Sequence, residues 1–301
     1  MGRQHQAVPE AFTTIHAAYA AALKRAPLDG DTRRAYDSRV RTFLAWLEAS
    51  GLDGDPLTDA HNRDFAIRDY KTHMKTVLRR ASNTVNAHLT ALDHFFTQLG
   101  LGPAVVRRDD APKLAPRALD ARQQKRYLRA VERRPLARDR AIGRLLFYSG
   151  VRIAELVALD DDDVPLSARK GKVIVRSGKG ETSREIPLLD GTARTSIAEW
   201  RAADTPALLP NRRGGRLSVR TVDQLMDERA TDADILDDAG ALALSAHILR
   251  HTLATNLLRA GVDIVVVAEL LGHTRLDTTR RYTLPTHADL EDAVSHLPTD
   301  Q

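Results

Sequence analysis

The residue types and spacing near the end of the chain suit attack on a phosphodiester. His247 and Arg250 form a His-Xaa-Xaa-Arg pair, His273 follows a glycine, and Tyr282 closes the basic run Thr-Thr-Arg-Arg-Tyr. Positions i and i+3 share one face of a helix. A phenol with a pKa of roughly 10 is a weak nucleophile. It needs a base to take its proton and cations to hold the charge that gathers on phosphate. Imidazoles, a guanidinium and a phenol supply those parts. His251 lies four residues after His247, and zinc can take such a pair. Hydrolytic zinc helices, however, carry Glu directly after the first His, and here Ile248 stands there. His251 is therefore expected to be a buried or supporting residue.

These residues need rigid elements beneath them. Leu249, Leu253 and Leu257, then Ile264, Val267, Leu270 and Leu271, recur at core spacing on two consecutive helices. Upstream, Asp120–Glu132, Arg138–Ser149 and Val151–Leu159 read as helices, with Gly150 breaking the pattern. The run Asp160–Asp163 reads as a solvated turn. Two strand signals follow, KVIVRS (172–177) and SREIPLL (183–189), joined by a glycine-rich turn with Lys179 at its tip. From Ser218 onward the pattern is helical again.

The N-terminal third reads as helical over 10–101. Thr32–Ala49 carries Tyr36, Val40, Phe43, Leu44 and Leu47 at helical spacing and stops at Gly51. Asn83–Leu99 repeats the pattern with Val85, Leu89, Leu92, Phe95, Phe96 and Leu99; Ser82 is the expected cap and Gly100 the stop. Residues 102–117 hold three prolines and mixed charge, and read as an extended linker.

Composition narrows the possibilities. The chain has 301 residues, 43% of them hydrophobic, which suits a two-domain globular protein. It has no cysteine, which removes disulfides, thiol nucleophiles and thiolate metal sites, and is compatible with a reducing cytoplasm. The first residues, MGRQHQAVPEAF, lack the apolar core of a signal peptide, and the apolar run Ile264–Leu271 is too short to span a bilayer. A net charge of +5 permits a polyanionic partner without requiring one.

Five segments in order carry a family resemblance. YSGVRIAELVALD (148–160), SGKGETSREIPL (177–188), AHILRHTLATNLLRAG (246–261), VVAELLGH (266–273) and TTRRYT (278–283) resemble the motifs of the tyrosine recombinases of the phage-integrase family, in their two-domain Xer-like form. More weakly, TRRAYDSRVRTFLAWLEASG and ASNTVNAHLTALDHFFTQLG resemble helices of the family's core-site DNA-binding domain. Carried over by motif, Arg152 and Arg250 match the catalytic arginines, Lys179 the catalytic lysine, and His247 the acid–base histidine. His273 matches a His/Trp position and Tyr282 the nucleophile, with Glu155 at a supporting acidic position that orients Arg152 or His247. Taken singly, each has an ordinary reading as a surface or packing residue; together and in this order they make a site.

The resemblance implies a mainly α fold with a small β-sheet. It places a helical DNA-binding domain at 10–101, a linker at 102–117, and an α/β catalytic domain at 118–301 with a C-terminal tail helix. It further implies a C-shaped clamp on double-stranded DNA with a specific target site, a 3′-phosphotyrosine intermediate on Tyr282, and no cofactor, whether ATP or metal. A homo-tetramer on two DNA sites, or a related recombinase as partner, is expected, in the cytoplasm at the nucleoid and away from any membrane. The lack of an extra N-terminal domain is expected to set it apart from arm-site integrases. Alternatives are relaxation like that of type IB topoisomerases, telomere resolution, an idle DNA-binding regulator, or a zinc hydrolase. Beyond Pro285, Leu290, Val294 and Leu297 stripe a short amphipathic helix, which the resemblance docks on a neighbouring protomer.

Overall fold

Short acidic and hydroxyl side chains set where the helices begin. In the computed structural model, which describes residues 7–110, 116–176, 183–201, 205–237, 240–272 and Thr279, the chain divides into two units, Met1–Pro112 and Lys113–Gln301.

The first unit holds α1 (Thr13–Arg25), α2 (Gly30–Ser50), α3 (Ala60–Thr76) and α4 (Ser82–Gln98). Asp29 caps α2 by accepting from the Thr32 amide at 2.8 Å, and Asp59 caps α3 through Asn62 at 2.8 Å. Ser82 is the first residue of α4 rather than its cap; Ala81 takes that place with no side-chain bond. The expected stripes of α2 and α4 meet in one core, where the Phe43 ring stands edge-on to Tyr70 and Phe96. Part of the stretch beyond α4 is fastened to this unit. Ala104 and Val106 pack on the core, and Lys71 and Lys75 hold the Asp109 carboxylate at 2.8 and 2.9 Å. Asn86 exchanges two bonds with the Asp109 backbone.

The second unit opens with α5 (Ala121–Glu132), whose capping box pairs Asp120 with Gln123. α6 (Ala137–Ser149) follows, then α7 (Ile153–Ala158), strands β1 (Lys172–Val175) and β2 (Arg184–Pro187), α8 (Gly191–Trp200) and α9 (Val219–Asp232), and finally α10 (Ala246–Arg259) and α11 (Ile264–Leu271). α6 is central, packing on α5, α8 and α10. The strands pair antiparallel with Val173 opposite Ile186 and Val175 opposite Arg184. Two local expectations change. The described residues between α9 and α10 are irregular, with an isolated bridge between Leu236 and Leu242. The Asp160–Asp163 turn is not simply solvated: Asp163 is buried, and Arg216, Arg201 and Arg176 pair with Asp160, Asp161 and Asp163 at 2.5, 2.9 and 2.6 Å. Four adjacent carboxylates repel one another, and nearby arginines relieve that repulsion.

One buried pair gives this core a polar centre. Arg229 is 1% exposed, and its guanidinium nitrogens make no hydrogen bond. Its nearest carboxylate oxygens belong to Asp139 at 3.6 Å and to Glu228 and Asp232 at 3.7 Å. Asp139 is itself 3% exposed. Removing the Asp139 charge leaves the buried Arg229 only the half-exposed Glu228 and Asp232 as partners, in a low dielectric. Asp139→Asn is expected to lower the free energy of unfolding by about 3 kcal/mol, measured by urea denaturation. The double variant Asp139→Asn/Arg229→Met is expected to recover part of the loss.

Candidate active site

The site is built on the end of α11. A helix leaves its last carbonyls without intrahelical partners, and they carry the negative end of the helix dipole. Gly272, at φ +66°, turns the chain out of the helix. The three carbonyls at this end are each taken by an arginine from a different element. Arg184 on β2 donates Nε to the Leu270 oxygen at 3.1 Å. Arg250 on α10 donates Nη2 to the Leu271 oxygen. Arg152, just before α7, donates Nη2 to the Gly272 oxygen at 3.1 Å.

Glu155 joins two of these arginines. The sequence suggested a helix over Val151–Leu159, but α7 starts at Ile153 and Arg152 is its extended N-cap. This places Glu155 in the first turn, where its Oε2 accepts the Arg152 backbone N–H at 2.7 Å and its Oε1 accepts Arg152 Nη1 at 2.7 Å. From the other side Arg184 forks onto the same carboxylate, Nη1 to Oε1 at 3.1 Å and Nη2 to Oε2 at 2.7 Å. Burial alone pushes the Glu155 carboxyl up, but the bonds from Arg184 and the Arg152 amide outweigh it and hold it below the usual carboxylate range. Of the two residues Glu155 was expected to orient, Arg152 is the one it bonds.

Arg250 and His247 both lie on α10, whose first turn is capped by Ser245 accepting from the Ile248 amide at 3.3 Å. Arg250 is 4% exposed and donates Nη1 to the Gly150 oxygen at 2.7 Å. Gly150 can present that carbonyl because it sits at φ +59°, where a Cβ would come within 2.8 Å of Leu253 and 3.2 Å of Leu271. His247, one turn earlier, is exposed, and the half-buried His251 ring lies 6.3 Å from it. Among the described residues no three His, Cys, Asp or Glu side chains converge as metal ligands, and no helix is long and apolar enough to cross a membrane. Lys179, His273 and Tyr282 lie outside the described residues, as does the tail helix.

The structure thus brings Arg152, Glu155 and Arg250 to one helix end. Three guanidinium charges against one carboxylate leave a surplus of positive charge, and arginine keeps its charge at any accessible pH. Arg184 is the member that sequence reasoning missed. The family resemblance of its segment assigns it no role. The available signal was parity: 184, 186 and 188 share a strand face, and Ile186 and Leu188 are buried. An arginine on a buried face needs partners.

Known proteins resemble this chain over most of its length. The phage integrase family model matches residues 117–288, more than half of the chain. The tyrosine recombinase XerC of Roseiflexus castenholzii is 35% identical over 242 residues, spanning 73% of this chain and 72% of the relative. That of Mycobacterium tuberculosis is 34% identical over 278 residues, spanning 84% and 87%. In fold, the chain is similar to XerH site-specific recombinase bound to a palindromic difH substrate, with a TM-score of 0.70, 19% identity and coverage of 88% and 79%. It is likewise similar to a lambda integrase dimer bound to a COC′ core site, with a TM-score of 0.68, 16% identity and coverage of 89% and 94%. With its motifs in order, its arginines gathered on one helix end and its relatives alike over most of their length, the chain belongs to the phage integrase family of tyrosine recombinases.

Proposed function

We propose that this site-specific recombinase cuts and rejoins DNA through Tyr282, with Arg152 and Arg250 holding the scissile phosphate. The observation that carries this is the convergence of both arginines on the Leu271 and Gly272 carbonyls, at the point where the chain enters His273. The XerC relatives favour recombination over relaxation, telomere resolution or an idle regulator.

The roles follow from chemistry. The Tyr282 oxygen attacks phosphorus, the bond to the 5′ oxygen breaks, and a 3′-phosphotyrosine remains. His247 takes the phenol proton as general base and returns it when the step reverses. Lys179 gives a proton to the departing 5′ oxygen. Arg152, Arg250 and His273 donate to the non-bridging oxygens as charge builds. The covalent bond conserves the energy of the broken linkage, so a hydroxyl of the partner duplex can reverse the step without ATP. Positive side chains occupy the part that metal ions play elsewhere. The N-terminal helices bind the core site, and four protomers assemble on two sites in the cytoplasm, at the nucleoid.

Tyr282→Phe is expected to abolish the detergent-resistant protein–DNA band on a nicked site while leaving binding near normal. The parent is expected to form that band in excess EDTA. A covalent band from the Phe variant removes Tyr282 as the nucleophile. Lys179→Ala is expected to slow cleavage of ordinary DNA strongly, by about 100-fold or more, and to matter far less on DNA with a 5′-bridging phosphorothiolate. Sulfur leaves without a proton, so equal defects on both substrates reassign Lys179 to binding. Deletion of residues 288–301 is expected to spare single-site binding and to weaken pairing of two sites, read by gel shift beside a synapsis assay. A truncated protein that pairs sites normally places the tail on its own protomer.

A further inference from the structure

Arg184 differs from Arg152, its neighbour on the α11 end and on Glu155. Its side chain is 11% exposed, against 36% for Arg152. All three of its nitrogens already donate within the protein: Nε to the Leu270 carbonyl, Nη1 and Nη2 to the two Glu155 oxygens. The fit against α11 is close, since a Cβ on Gly272 would lie 2.7 Å from Arg184 Nη1. A guanidinium whose two terminal nitrogens are already forked onto a carboxylate is poorly placed to hold a phosphate. It is well placed to hold the groups that do.

We propose that Arg184 is a positioning residue for strand cleavage, tying Glu155 and the end of α11 into one geometry so that Arg152 is presented to the phosphate. The proposal rests on the role given above to Arg152. Its physical core is competition. Glu155 is a buried anion beside a cation that must bind another anion. With Arg184 forked onto it, the carboxylate shares its charge between two guanidiniums, and Arg152 keeps attraction to spare for DNA. Without Arg184, Arg152 is the sole neutralising side chain among the described residues that bonds Glu155, and it is drawn toward it. The Leu270 carbonyl loses its donor at the same time, which loosens the turn leading into His273. Arg184 also opens β2, five residues after Lys179 in the sequence, so that strand is anchored to the same cluster. Lysine cannot replace it, because a single ammonium cannot span a carboxylate and a carbonyl as the planar fork does.

The test uses the full-length protein on a duplex site recovered by binding selection from a random pool and nicked to trap the covalent complex. Arg184→Ala and Arg184→Lys are compared with the parent for affinity, thermal unfolding and single-turnover cleavage. Both are expected to bind DNA nearly as the parent does and to cleave about 100-fold more slowly, the scale of a small misplacement of a catalytic group. Added guanidinium ion is expected to restore part of the rate to Arg184→Ala and none to Arg184→Lys, whose side chain fills the space. In Arg184→Ala/Glu155→Gln the two losses are not expected to multiply, since both act through one carboxylate. A folded Arg184→Lys that cleaves at the parental rate overturns the proposal. So does loss of fold in both variants, which makes Arg184 a stability residue only, and so does an Arg184→Ala defect that guanidinium leaves unchanged. Failure of the underlying catalytic reading shows elsewhere, as a covalent complex that survives Tyr282→Phe in a protein with Arg184 intact.

Discussion

The end of α11 must be neutralised, and the arrangement of the second unit follows from how this is done. Three consecutive carbonyls point away from their helix and receive guanidiniums from β2, α10 and the start of α7. Each of those elements is thereby fixed in position and in rotation. Gly150 and Gly272 occupy left-handed backbone at the two places where the chain must turn tightly against the cluster. Leu253 and Leu271 close over Gly150 with no room for a methyl group. An electrostatic need at one helix end thus becomes a packing constraint on four elements. The cluster keeps a surplus of positive charge because Glu155 offsets only part of it.

The same chemistry explains why the net charge of a basic chain is a poor guide to its surface. Arg63, Arg144, Arg229 and Arg250 are all buried. Arg63 fastens the end of the α4 loop by donating to the Gly102 carbonyl at 2.9 Å, and Arg134 spans Asp139, Glu228 and Asp232. Arginine serves this way because its planar fork meets carbonyls and carboxylates with several bonds at once and is less strongly hydrated than an ammonium. Much of the basic character works inside each unit, holding irregular chain to helices.

What could be read from sequence was local. The stripes of α2 and α4 carry strong 3.6-residue periodicity, and each helix falls within a residue or two of its expected bounds. The two paired strands declared themselves through alternation. His247 and Arg250 were legible because both lie on one helix. Features that depend on distant chain were not. Arg184 meets Glu155 across 29 positions and Leu270 across 86, and one of its acceptors is main chain, which has no residue identity to recognise. Arg152 was assigned to a helix since nothing nearby marks an arginine as a cap. The acidic turn looked solvated because its arginine partners, such as Arg216, stand 56 positions away.

Main-chain acceptors also shape how such a site can change over generations. Leu270 and Leu271 contribute carbonyls to the arginines, so their side chains are free to drift as far as packing allows. What cannot drift is the number of residues in α11. One residue added or lost within Ile264–Leu271 rotates the terminus by about 100° and takes all three carbonyls off their donors together. The site is therefore tolerant of substitution along this helix and intolerant of changes in its length, and insertions in descendants of this chain belong outside Asp263–Gly272.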